Sequence, residues 1–130
     1  MVPSTLRVLV IDDHQLTRSL LRAMLREAGY TTQREAGDAL SGLKVAEHFV
    51  PHLICLDVQM PKMNGVEAIA SLKAAAPNAA IIMVTGSNDR NTIMASIDAG
   101  AHGYIIKPFN GETVMRAVES ALTKAGHAIA

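Results

Sequence analysis

Four short runs of this chain are apolar without interruption: Val8-Leu9-Val10-Ile11, Leu53-Ile54-Cys55-Leu56, Ala80-Ile81-Ile82-Met83-Val84 and Tyr104-Ile105-Ile106. A strand with one wet face alternates apolar and polar residues. An unbroken Ile/Val/Leu run instead marks a strand covered on both faces. A fifth, more polar stretch, Thr31 to Glu35, has the character of an edge strand. Between these runs the apolar period becomes helical. Leu16, Leu20, Leu21, Met24 and Leu25 are spaced along one helix face, with Gly29 placed to stop it. Asp38 can cap a second helix carrying Ala39, Leu43 and Ala46. Val66, Ile69 and Ala70 mark a third, ended by Pro77, and Ile93, Met94 and Ile97 a fourth, ended by Gly100. Val114, Ala117, Val118, Ala121 and Leu122 form the fifth behind an Asn110 cap. Strict alternation predicts an α/β chain of (βα)5 pattern: a doubly wound, five-stranded parallel sheet with helices on both faces.

At 130 residues the chain suits one domain over 1–130, with a core from about 6 to 125 and a short flexible tail over 126–130. Its 12 Lys+Arg balance 12 Asp+Glu. Bulk charge therefore gives no reason to expect nucleic-acid binding or adhesion to an anionic membrane. The single Cys55 excludes a disulfide framework and a thiolate zinc cluster, and no apolar run is long enough for membrane insertion. The expectation is a soluble, cytoplasmic protein.

In a doubly wound sheet, ligands bind beyond the carboxyl ends of the strands. Asp12 and Asp13 follow the first run, Asp57 the Leu53–Leu56 run, Thr85-Gly86-Ser87 the next, and Lys107-Pro108 the last. These residues should meet in one crevice. Three carboxylates against one ammonium leave an excess of about two negative charges, unfavourable in a half-buried pocket unless a cation binds or a proton is taken up. Oxygen ligands select a hard ion such as Mg2+. With that ion in place a phosphoryl group can be accommodated by Lys107, Thr85 and main-chain N–H groups. A carboxylate so placed can act as nucleophile and form an aspartyl phosphate. Mg2+ binding without chemistry is the simpler alternative.

At these residues the sequence resembles the receiver domain of two-component response regulators. The resemblance runs from about Leu6 to Leu122 and rests on four stretches: Val8 to Asp13, Leu56-Asp57 through Pro61 to Gly65, Val84 to Ser87, and Tyr104 to Phe109. It implies strand order 2-1-3-4-5, the flavodoxin-like order that chemotaxis receivers exemplify. It also implies that Asp57 is the phosphoacceptor, charged by a histidine kinase or a histidine phosphotransfer protein. Asp12, Asp13, Asp57 and the main-chain carbonyl of Gln59 would hold Mg2+. Lys107 would pair with the phosphoryl group, Thr85 would move to bond it, and Tyr104 would turn inward behind it. A cis Lys107–Pro108 bond follows from the same resemblance. Gln59, Gly86 and Ser87 occupy positions that tune access to the phosphoryl group, and the absence of a side chain at Gly86 suggests an open approach.

Such a chain would be a phosphorelay switch rather than a turnover enzyme. Its output would pass by protein contact through the fourth helix, fifth strand and fifth helix. Only eight residues follow Leu122, so either the domain acts alone or it is a receiver excised from a longer regulator. His102 and Gly103 stand where the winged-helix transcription-factor class tends to carry acids, so that class's dimer is not expected. A Mg2+-dependent phosphatase working through an aspartyl phosphate is the competing class, although its usual Asp-x-Asp motif is absent. Arg18, Arg22 and Arg26 form a basic stripe suited to docking the phosphodonor, and a solvated helix face explains the stripe equally well. His14 can influence the acidic pair or be an ordinary exposed residue of the first turn. Cys55 reads as core packing, and Met60 and Met63 as loop packing or adaptable contact surface.

Overall fold

The computed structural model describes residues 2–60, 64–86 and 90–127. After a short 3-10 turn (Pro3–Thr5), strands and helices alternate: β1 (Arg7–Ile11), α1 (Gln15–Glu27), β2 (Thr32–Ala36), α2 (Ala39–Phe49), β3 (Leu53–Asp57), α3 (Gly65–Ala75), β4 (Ala80–Thr85), α4 (Arg90–Asp98), β5 (Gly103–Ile106) and α5 (Gly111–Lys124). The five strands are parallel, in the order β2-β1-β3-β4-β5. The more polar β2 lies at one edge, as its composition predicts.

Successive residues of the central strands enter opposite cores. Val8, Val10, Leu53, Cys55, Ile82 and Val84 face one side, where Leu21 and Leu25 of α1 and Val114, Val118 and Leu122 of α5 cover them. Leu9, Ile11, Ile54, Leu56 and Ile81 face the other, against Ala46 of α2 and Ile69 and Leu72 of α3. All of β3 and β4 is buried, which accounts for their unbroken apolar sequence. Cys55 lies within the first core, and burial pushes its thiol pKa up to about 12, leaving it a packing residue.

The helix ends are set by side chains. Asp38 Oδ1 accepts from the Ser41 N–H at 2.7 Å, and Asn110 Oδ1 from that of Thr113 at 2.8 Å, each satisfying a donor the first turn leaves open. Asn64 caps α3 in the same way. Gly29, at φ +100°, leads the chain out of α1 in the left-handed region. Gly42 has a different purpose: its place in α2 is filled by the Ile11 side chain, with which any Cβ would collide.

Two apolar stripes do not face the sheet as their spacing suggests. On α1 only Leu21 and Leu25 are buried, whereas Leu16 is 84% exposed and Leu20 is also exposed. On α4 the buried residue is Ser96, while Met94 and Ile97 are exposed. Met60 is buried in the second core. Pro61, Met63 and residues 128–130 of the expected tail lie outside the described residues. His127 is bonded back to the body of the protein, its main-chain N–H donating to Leu122 O at 2.9 Å.

Candidate functional site

The parallel order brings the carboxyl ends of β1 and β3 side by side, with Ile11 paired to Leu56. The next residue of each chain segment is therefore an aspartate, Asp12 beside Asp57. Both are buried, at 2% and 1% exposure. Asp12 Oδ1 accepts from the His14 main-chain N–H at 2.8 Å, and Asp57 Oδ1 from that of Gln59 at 2.9 Å. Asp57 Oδ2 is buried and carries no hydrogen bond. Lys107 Nζ stands 3.5 Å from it and 3.8 Å from Asp12 Oδ2, an ion-pair distance to both carboxylates.

Lys107 reaches this point because its own N–H donates to the carbonyl of Thr85 at 2.7 Å, fixing the start of the β5–α5 turn against the end of β4. The Lys107–Pro108 bond is cis, as the resemblance implies. Thr85 is buried as the last residue of β4, and Val84 pairs with Asp57. Asp12, Asp57, Lys107 and Thr85 thus come from four adjacent strand ends.

Asp13 lies at the mouth, and His14 Nδ1 approaches its Oδ1 to 3.1 Å and Asp12 Oδ1 to 3.7 Å. Ligand atoms of Asp12, Asp13, His14 and Asp57 all fall within 4.8 Å of one another, a spacing that can hold a metal ion. The electrostatics favour a cation. Burial raises the Asp12 pKa above 3.8; the His14 N–H and Lys107 oppose the rise, and the neighbouring Asp57 and Asp13 charges add to it. A buried carboxylate oxygen without a donor, beside two further carboxylates, is the arrangement a hard cation relieves.

Two rim residues take positions that their sequence alone does not reveal. The Gly86 N–H donates to Gln59 Oε1 at 2.5 Å, so the Gln59 side chain bridges the loops that follow β3 and β4. A Cβ at Gly86 would lie 2.9 Å from that oxygen. The space left by the missing side chain is occupied by an amide instead of standing open. The only sequence signal for this contact is a glycine directly after Thr85. Ser87 lies outside the described residues.

Two of the three arginines of the stripe, Arg18 and Arg22, are spent within the chain, whereas Arg26 is exposed. Arg18 Nη1 donates to the carbonyl of Asp12 at 2.6 Å, and its Nε to Glu35 Oε1 at 2.7 Å. Arg22 pairs with Glu35 through Nη1 and donates through Nε to Gln33 Oε1 at 2.9 Å. These bonds tie α1 to the edge strand and hold the main chain at Asp12. Arg18 is therefore a supporting residue of the site, visible in the sequence only as one member of the stripe. Tyr104 is not brought to the pocket. Its ring is 45% exposed and lines a groove with Thr113, Ala117 and Ser120 of α5.

The family model for the response regulator receiver domain matches residues 8–119. The chemotaxis protein CheY of Listeria monocytogenes is 30% identical over 116 residues, covering 89% of this chain and 98% of that protein. A CheY-like receiver domain from Methanospirillum hungatei superposes with a TM-score of 0.83 at 28% identity, covering 92% of this chain and 94% of the other. A response regulator from Burkholderia pseudomallei, whose structure holds a phosphorylated aspartic acid and a calcium ion, superposes with a TM-score of 0.81 at 29% identity, over 91% and 69% of the two chains.

Proposed function

The chain belongs to the response regulator receiver domain family, and from that premise we propose that it is a phosphoacceptor switch with Asp57 as its acceptor. The observation that carries this reading is the Asp57 carboxylate itself: buried, with Oδ1 fixed by the Gln59 N–H and Oδ2 left without a hydrogen bond facing Lys107. A nucleophile needs one oriented and uncommitted lone pair, and Oδ2 has it.

The donor class is a phosphohistidine on a histidine kinase or a histidine phosphotransfer protein. Asp57 Oδ2 forms a bond to phosphorus as the phosphorus–nitrogen bond breaks, and the electron pair returns to the departing imidazole. Asp12, Asp13, Asp57 and the carbonyl of Gln59 would hold Mg2+, which supplies charge neutralisation for the transferring group when bound. Lys107 pairs with a phosphoryl oxygen in exchange for its present contacts with Asp57 and Asp12. Its tether to Thr85 keeps the ammonium at the strand ends throughout. Arg18 holds the Asp12 main chain so that the acidic pair does not splay under its own repulsion.

Signalling is a population shift. Phosphorylation adds roughly two negative charges and three acceptor oxygens next to Thr85. Converting a 1:99 equilibrium to 99:1 takes ~5.5 kcal/mol of differential stabilisation. A few charge-assisted hydrogen bonds, each worth about 1.5–3 kcal/mol, supply it. Tyr104, exposed in this structure, is the ring whose inward turn would follow Thr85. The exposed Met94 and Ile97 of α4 make the α4–β5–α5 side the contact surface for the output partner. Leu16, Leu20 and the exposed Arg26, rather than the internally paired Arg18 and Arg22, offer α1 to the phosphodonor.

Incubation with acetyl phosphate and Mg2+ should add the mass of one phosphoryl group, with no gain in the Asp57→Asn variant. Chelation of the metal should suppress the gain in the natural chain. Steady turnover of small phosphomonoesters, with no lasting mass gain, would instead support the phosphatase reading.

A further inference from the structure

At the end of the sheet opposite the acidic pocket, two histidines repeat one arrangement. His52 immediately precedes β3, and His102 immediately precedes β5. The His52 main-chain N–H donates to Arg7 O at 2.8 Å, while its ring Nδ1 accepts the Arg7 N–H at 2.9 Å. The His102 N–H donates to Ile81 O at 2.7 Å, and its Nδ1 accepts the Ile81 N–H at 3.0 Å. In each case an imidazole nitrogen replaces the carbonyl that a parallel neighbour would ordinarily present. The first pair joins β1 to β3 and the second joins β4 to β5, so both lie on the amino ends of strands whose carboxyl ends carry the site.

We propose that His52 and His102 form a paired, acid-sensitive lock on the amino end of the sheet, closed while both rings are neutral and opened by protonation at Nδ1. The chemistry is forced by the bonding. A ring nitrogen that accepts a main-chain N–H must hold a lone pair, so the ring proton resides on Nε2. A second proton can add only at Nδ1. That addition exchanges an acceptor for a donor, breaks the bond, and leaves the Arg7 or Ile81 N–H facing another N–H. The same tautomer rules out a metal on Nε2, so the pair is not a ligand set.

The surroundings resist the charged form. His52 faces Arg7 of β1 and the ring of His127, whose centroid lies 5.3 Å away in an edge-on contact. His102 faces Lys73 of α3, Lys124 of α5 and His127. Among the described residues, the groups acting electrostatically on either ring are all basic, with no carboxylate among them. Burial is the largest influence lowering both pKa values below 6.5, with the neighbouring basic groups adding to it. His127 links the two, and its Nε2 donates to Asn78 O at 2.6 Å.

The consequence has a definite sign. The unfolded chain binds protons at these two side chains from about pH 6.5 downward, before the folded chain does. Stability is therefore full above that pH and falls with acidification until the folded pKa values are reached. With both rings contributing, the unfolding equilibrium constant rises by up to about a hundredfold per pH unit across that window. Opening begins at the amino end, so the Arg7 and Ile81 amides lose protection before residues at the carboxyl ends.

The test compares the natural chain with a His52→Asn, His102→Asn double variant by urea unfolding from pH 7.5 to 5. Asparagine carries an acceptor oxygen on the same Cγ that bears Nδ1, so the bonds are retained without a titrating group. The natural chain should lose stability below about pH 6.5, and the variant should lack that part of the loss. NMR titration of the ring nitrogens in the natural chain decides the matter even if the variant fails to fold. Nε2–H tautomers that titrate below 6.5 support the lock. Two rings that titrate at or above the ordinary value, with undisturbed Arg7 and Ile81 amides, overturn it, as does an unchanged acid loss in the variant.

Discussion

Asp12 and Asp57 are neighbours because β1 and β3 are neighbours, and each is desolvated by the same strand-end geometry that makes it useful. Asp12 bears the clearest mark of this, since burial and two adjacent carboxylates raise its pKa. Replacing Asp12 with Asn keeps an oxygen for the His14 N–H while removing one of the repelling charges. The metal-free variant should unfold at higher denaturant than the natural chain, and its Mg2+ affinity should fall by more than about tenfold. Titration by calorimetry alongside urea unfolding reads both. The raised pKa also sets a pH dependence: between 3.8 and the folded value, the metal must displace a proton from Asp12. Mg2+ affinity should therefore decline with acidification from a higher pH than at an ordinary aspartate. Gly86 offers a second single-residue test. An alanine there would push away the flexible end of Gln59, so stability should change by no more than about 0.5 kcal/mol. The pocket mouth would lose its amide bridge, and the phosphorylated form should lose its phosphoryl group severalfold faster as water gains access. Mass spectrometry after removal of the donor follows that decay.

At the scale of elements, fold class was legible because a strand buried on both faces must be apolar at every position, and β3 and β4 are. Caps at Asp38 and Asn110 were equally readable, since an Asx residue before a periodic segment leaves little doubt about where the helix begins. The faces of α1 and α4 were not. Helical spacing identifies a stripe without saying what lies opposite it: α1 buries only Leu21 and Leu25, and α4 buries Ser96 in place of its larger side chains. The internal partners of Arg18 and Arg22 were hidden for the same reason: Glu35 and Gln33, distant in sequence, sit within reach only once β2 pairs with β1. Gly42 is a further contact that composition conceals. A glycine inside a helix costs about 1 kcal/mol relative to alanine, so Gly42→Ala would stabilise an isolated α2. Here the added methyl meets Ile11, and overpacking of this kind costs roughly 1–3 kcal/mol. The variant should be less stable, with a lower urea midpoint and an unchanged far-ultraviolet helix signal.

For the molecule as a whole, the two ends of one sheet carry opposite electrostatic demands. The carboxyl ends gather aspartates around Lys107 and call for a cation, whereas the amino ends gather histidines among Arg7, Lys73 and Lys124 and repel one. The first arrangement was readable from the order of strand-end residues. The second was not, because His52 and His102 have no motif spacing and acquire their roles only through main-chain N–H groups on other strands. A metal that binds the folded chain alone should raise its stability by mass action. At a concentration a hundred times the dissociation constant the gain is about 2.7 kcal/mol, and at that same concentration it should fall to about 1.4 kcal/mol or less in the Asp12→Asn variant. The proposed switch turns on a single covalent bond, formed at the buried Asp57 oxygen that lacks a hydrogen bond. Borohydride reduction converts an aspartyl phosphate to homoserine, so the most direct measurement is peptide mapping of the chain reduced after treatment with acetyl phosphate and Mg2+. Homoserine at position 57 alone is the predicted result, and reduction at any other aspartate, or at none, would contradict Asp57 as the phosphoacceptor.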